Sequence, residues 1–348
     1  MQRFYDSLLK QERGSVQDVA LKYGRTLKPH YESLLSAKAA STSPYYVGLS
    51  SEMGSFTDVT KRVTLVADTM LLSDHGVGAV HELGVSQENI AYSLTDQRMP
   101  DQGAMFSRRV GMVTRDLAEL GQWLLDTEPL LRRGLVWYGP VFTEGSLGTT
   151  STVRPDLLNE RVGPLPSFSD RSIDFVVEHG RAVDLSTAKP VASRVVRPIL
   201  EIDLPFLDGL SLSDFAHVTS EEFDSYRQYR TFMRSRLLEL DDALEAVDSQ
   251  LAVERVALAI QDELNAATAE MHSATRTRAL SQAVLGTTTA VLTAVQPEAL
   301  QGTLAISATI TAGVGSLWPV IEAFADTKPK RKHGKWHYVW VLQKKASR

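Results

Sequence analysis

LSLSDFAHVTSEEFDSYRQYRTFMRSRLLELDDALEAVDSQLAVERVALAIQDELNAATAEMHSATRTRALSQAVL, residues 210–285, runs for seventy-six positions without a glycine or a proline, although those two residues make up about a tenth of the 348. Glycine and proline are the costliest residues inside a helix, so a stretch that omits both reads as helix. Thr219 and Glu222 have the spacing of a capping box. Beyond them Phe223, Tyr226, Arg230, Met233, Leu237, Leu240, Leu244, Val247 and Leu251 alternate steps of three and four, a coiled-coil-like stripe with one polar member. A second stripe, Val253, Val256, Ile260, Leu264, Ala267 and Met271, lies on another face. One straight helix over 220–285 would be about 100 Å long. Two packed helices are therefore expected rather than one rod.

Upstream the chain is punctuated. Residues 15–39 read as a helix interrupted near Gly24 and Pro29, and Tyr45–Ser50 as a short strand. Val63–Leu72 is apolar at successive positions, which does not separate buried helix from buried strand. Ser107–Leu131 carries Val110, Val113, Leu117, Leu120 and Leu124 at helical spacing, and Gly134–Tyr138 reads as the next strand. Thr143–Pro166, rich in Gly, Ser, Thr and Pro, reads as a loop. Ile173–Val177 and Val195–Leu204 read as strands, with Glu178-His179-Gly180-Arg181 as a turn between elements. The fold class expected is α+β: a mixed α/β body over 1–208, a helical arm and apolar helical hairpin over 209–327, and a basic–aromatic tail over 328–348 that ends in a short strand.

Downstream of the arm, Ala279–Pro297 and Ala299–Ile321 hold nineteen and twenty-three residues without a charge, separated by Glu298. Each is long enough to cross a bilayer. Ala308, Ala312 and Ser316 form a small-residue ridge, and Arg276, Arg278 and the Lys328–Lys335 cluster flank the outer ends. Thr287, Thr288, Thr289 and Thr293 dilute the first stretch, which favours a pair of helices buried in protein. In the tail, Lys330, Arg331, Lys332 and Lys335 lead into Trp336, Tyr338 and Trp340 at alternate positions. Alternation suits a docked edge strand, and the mixture of bases and aromatic rings also suits an anionic membrane surface.

Net charge is −5, and the residues from Lys328 onward contribute +8, leaving −13 on the remainder. An acidic body argues against nucleic acid as its partner. The absence of cysteine removes disulfides, thiolate metal sites and cysteine nucleophiles, and suits a reducing cytoplasm. The first residues, Met1 to Asp6, include both an acid and a base and no apolar run, which does not read as a signal peptide. Arginine outnumbers lysine 25 to 12, the bias of a GC-rich bacterial coding background.

The densest titratable cluster is Asp74, His75, His81 and Glu82, chemistry suited to proton transfer or a divalent metal. His81-Glu82 opens like a zinc-protease motif, but Val85 stands where its second histidine belongs. No phosphate loop, dinucleotide fingerprint or nucleophile elbow is present, and no cofactor is expected. The arm's charges are sorted instead: Arg227, Arg230, Arg234 and Arg236 precede Glu239, Asp241, Asp242, Glu245 and Asp248. An antiparallel copy crossing near Leu237 would oppose the two blocks and align Leu237, Leu240 and Leu244. The alternative is that this face packs on the chain's own body. The sequence thus leads to a non-catalytic bacterial cytoplasmic interaction or scaffold protein that forms a homodimer through its arm. Its rivals are a membrane-active effector inserting 279–321 at the inner membrane, and a hydrolase or metal-dependent enzyme with its site near 74–82.

Overall fold

A computed structural model describes residues 1–74, 78–90, 104–149, 161–164, 173–185, 189–202, 204–246 and 334–346, with isolated positions at 251, 255 and 259. Its elements are α1 (Gln2–Asp6), α2 (Lys10–Arg13), α3 (Val16–Leu27), α4 (Tyr31–Ala39), β1 (Tyr46–Ser51), α5 (Phe56–Thr64) and β2 (Thr69–Asp74). Then come β3 (Ala79–Ile90), β4 (Ala104–Thr114), α6 (Leu117–Asp126), α7 (Glu128–Arg132), β5 (Val136–Tyr138), β6 (Val141–Thr149) and β7 (Arg161–Pro164). The remainder is β8 (Phe175–Glu178), β9 (Arg181–Asp184), α8 (Pro190–Glu201), α9 (Leu212–Glu221), α10 (Phe223–Glu245) and α11 (Lys335–Ala346).

The protein is α+β. One sheet has the order β5-β2-β1-β8-β9, parallel except for the antiparallel β9. A second sheet, β3-β4-β6-β7, is antiparallel throughout. The parallel strands are apolar on both faces, as strands covered on both sides must be: Val47, Leu49, Met70, Leu71, Leu72, Val136 and Phe175 are all fully buried. The β8–β9 turn falls on His179 and Gly180, whose φ values of 50° and 77° give the two left-handed positions that a tight two-residue hairpin requires. Helices α3 and α6 touch at Gly121, where an added Cβ would lie 1.7 Å from the Val16 carbonyl oxygen. That contact fixes α6 beside the N-terminal helices.

The arm is divided near its start. Glu222, with φ −98° and ψ 39°, separates α9 from α10, and Ala246, with ψ 150°, ends α10. Thr219 is not a cap. It is buried in α9, and its hydroxyl lies 2.8 Å from Tyr338 Oη. One continuous core runs from the sheet through Phe206, Leu207 and Leu210 into α9, α10 and α11.

Three local readings are corrected. Residues 195–201 belong to α8, not a strand: Val195, Val196 and Ile199 are β-branched, but Pro190 opens a helix whose one face buries all three. Residues 107–114 belong to β4, and the helix begins only after Asp116, whose carboxylate accepts from the amides of Ala118 and Glu119 at 2.7 and 3.1 Å. Residues 143–149 and 161–164 are strands despite their loop-like composition.

The terminal strand is also corrected. Residues 335–346 form α11, which buries Tyr338, Val339, Leu342 and Gln343. These recur at helical intervals, and this inward set outweighs the alternation of 336, 338 and 340. Tyr338 packs on Tyr226 and Tyr229, and Trp336 on Tyr229 and Phe232. The Tyr338→Phe variant, which deletes one buried hydroxyl and orphans that of Thr219, is expected to lose about 1–3 kcal/mol of stability in denaturant unfolding.

Candidate functional site at the carboxyl edge of the parallel sheet

Apolar strands end here in polar residues. β1 closes with Ser50-Ser51, β2 with Ser73-Asp74 and β5 with Tyr138, all buried. Parallel register makes Ser51 the neighbour of Asp74, and Leu72 the neighbour of Tyr138. Side chains two apart share a face. Ser51, Asp74 and Tyr138 therefore stand on one face at one edge, the edge where open α/β sheets bind ligands. The strand order reverses direction at β1, with β2 and β5 on one side and β8 on the other.

Asp74 Oδ2 accepts from the Arg115 amide at 3.2 Å. The Tyr138 ring touches Tyr23, Phe56 and Trp123, and Phe56 and Trp123 touch each other. Burial, reinforced by the charge of Asp74, pushes the Tyr138 phenol far above its ordinary value, and the nearby Thr114 hydroxyl eases the shift. Among the described residues Ser51 Oγ has no hydrogen-bond partner, and the Thr114 hydroxyl is the hydrogen-bonding group beside Tyr138 Oη. At the mouth, Glu119 is exposed, and its carboxyl is raised by partial burial and then by the charges of Asp116 and Asp74.

Of the cluster read from sequence, only Asp74 sits at this edge with its side chain buried. His75 lies outside the described residues. His81 and Glu82 are consecutive on β3, so their side chains leave opposite faces of that strand. Among the described residues no three His, Asp or Glu converge as a metal would need. Ser51, Tyr138 and Glu119 were missed in the sequence as neighbours of Asp74. Two apolar runs that each close on a serine-containing polar pair were the available signal. No known protein family matches the chain, and neither does any curated protein or solved structure.

The arm residues meet the body. Arg230 and Arg234 both reach Asp68, at 3.1 and 2.8 Å, and Arg234 also donates to the Val66 carbonyl and lies 3.7 Å over the Tyr45 ring. Arg194 of α8 pairs with Asp241 and Asp242. Leu237 and Leu240 are buried in the chain's own core. Arg227 and Glu245 are exposed, and the Leu244 side chain is outside the described residues. In the tail, Lys335 sits 4.1 Å from the centre of the Phe232 ring, Trp336 packs on α10, and Trp340 stacks on His337. Lys330, Arg331, Lys332, the stretch 279–321 and the second arm stripe lie outside the described residues.

Proposed function

We propose that this chain is a non-catalytic scaffold of the bacterial cytoplasm, whose α/β body holds both ends of the segment 247–333 and presents it to a protein partner. One observation carries the reading: α11 returns to the body from which α10 departs. The two helices run antiparallel, since Lys335 and Trp336 lie against Phe232 while His337 approaches Glu222 and Lys345 approaches Asp214. α10 continues to Glu245, about 20 Å beyond Phe232 at 1.5 Å per residue. The end of α10 and the start of α11 thus belong to one core, about 20 Å apart along α10.

Self-association is proposed through the outer face of α10, because the seam is spent on the body. Arg227 and Glu245 stand eighteen residues apart, five whole turns, so they share a face. An antiparallel copy sets each against the other. Light scattering at tens of micromolar protein and low salt is expected to find a dimer that dissociates as salt rises. Arg227→Glu is expected to give a monomer, and Arg227→Glu with Glu245→Arg to restore the dimer. A wild-type monomer under those conditions rejects this arrangement.

A second reading rests on the same return of the chain. The two charge-free stretches of 279–321 lie between fixed ends, and a segment crossing a bilayer twice comes back to the side it left. Among the described residues no helix is long and apolar enough to cross a membrane. Flotation of the full chain with anionic liposomes, resistant to carbonate, would favour inner-membrane insertion over the scaffold.

A further inference from the structure

The carboxyl edge of the parallel sheet holds groups that the scaffold role does not use. Ser51 and Tyr138 are fully buried; among the described residues Ser51 Oγ has no hydrogen-bond partner, and Tyr138 Oη has the Thr114 hydroxyl beside it. An unpaired buried polar group costs about 1–3 kcal/mol, so Ser51 Oγ calls for an occupant. Ser51 and Tyr138 flank Asp74, a residue only 7% exposed. Asp116 and Glu119 stand outside it, close enough to act on one another electrostatically. Asp116 is committed to capping α6. The corner therefore passes from an exposed acidic mouth at Glu119 to a buried carboxylate between two hydroxyls, walled by the rings of Phe56 and Trp123.

The charge selects the ligand. An anion would meet Asp74 and Glu119 and be repelled. A metal ion needs three or more convergent ligands of a kind that the described residues do not bring together. An ammonium group carries three N–H donors and one positive charge. From the geometry we infer a site for a small organic ammonium ion, with its donors on Asp74, Ser51 Oγ and Tyr138 Oη and its alkyl part against Phe56 and Trp123. Aromatic rings add attraction for a desolvated cation, and the entering charge relieves the repulsion among the three carboxylates. This assignment stands apart from the scaffold reading, since a scaffold needs no such ligand and the site needs no partner.

The test uses the full chain and three probes of one size: butylammonium chloride, sodium butyrate and 1-butanol, at constant ionic strength. Butylammonium is expected to raise the thermal midpoint and give a saturable isotherm by calorimetry, while butyrate and butanol do neither. Asp74→Asn is expected to weaken binding at least about tenfold, and Tyr138→Phe by up to about tenfold. Should Asp74→Asn fail to fold, Glu119→Gln at the exposed mouth reports instead, with about two- to threefold weakening. No saturation by butylammonium, an equal response to butanol, or undiminished affinity in Asp74→Asn or Glu119→Gln would each overturn the site. The corner would then hold buried water.

Discussion

Asp174→Ala is expected to be the most damaging single substitution in the body. Asp174 lies just before β8, where its Oδ2 accepts from the Gly48 amide at 2.7 Å and meets Lys38 Nζ at 2.8 Å. The two side chains are 6% and 2% exposed, so truncating the acid strands an ammonium in the interior. Removing one partner of such a pair costs about 3–5 kcal/mol. The half-buried Lys189 suffers too: burial lowers its amine, the charge of Asp174 offsets part of that, and Lys38 adds to the lowering. With Asp174 gone, nothing offsets the lowering of the Lys189 amine below its unfolded value, so the variant's folded state binds fewer protons than its unfolded state. Stability of Asp174→Ala should therefore rise with pH and recover part of the deficit as pH approaches about 10. Urea unfolding at several pH values measures this. Lys38→Met with Asp174→Leu should be milder than Asp174→Ala, leaving chiefly the unpaired Gly48 amide, about 1–3 kcal/mol.

Gly121→Ala should be nearly as severe, for a steric reason. Its Cβ would stand 1.7 Å from the oxygen, 2.5 Å from the carbonyl carbon and 3.1 Å from the Cα of Val16, all backbone atoms with no rotamer to yield. α3 and α6 would have to separate by roughly 1.5–2 Å to restore normal contact. Overpacking on that scale costs about 3 kcal/mol. Their separation would also loosen Tyr5, whose hydroxyl donates to the Leu124 carbonyl at 2.7 Å, and Tyr23, whose hydroxyl donates to the Tyr138 backbone carbonyl at 2.7 Å. Gly54→Ala is the control: nothing lies within 4 Å of its added Cβ, and its thermal midpoint should match the parent within about 2 °C.

Much of the fold was legible where short apolar runs lie between strong turn residues. Tyr46–Ser51, Val136–Tyr138 and Phe175–Glu178 were readable as strands, and His179-Gly180 as a turn, because local composition and final environment agree there. The misreadings share one cause. Val195, Val196 and Ile199 favour strands intrinsically, Val110 and Val113 fit a helical interval, and Trp336, Tyr338 and Trp340 fit a strand interval. In each case distant packing overrode the local preference. For α11 the deciding partners, Tyr226 and Tyr229, lie more than a hundred positions away in the chain.

Asp74 is visible in the sequence as a titratable residue in a dense segment, but of that segment His81 and Glu82 lie on β3 of the other sheet. The neighbours of Asp74 come from β1, β5 and the start of α6, which only the parallel register brings together. Sorted charges along α10 were equally visible. Arg230 and Arg234 find Asp68, and Asp241 and Asp242 find Arg194, on other elements of the chain, while Arg227 and Glu245 stay exposed.

The docking of α11 also orders events on the ribosome. Residues 1–246 emerge first, and the next eighty-eight must follow before Lys335 appears. At translation rates of about 5–20 residues per second that delay is roughly 4–18 seconds. During it the nascent chain carries Tyr226, Tyr229 and the Thr219 hydroxyl without the helix that covers them. Chaperones that recognise exposed aromatic surface have that interval in which to act, and it closes when Tyr338 and Leu342 arrive.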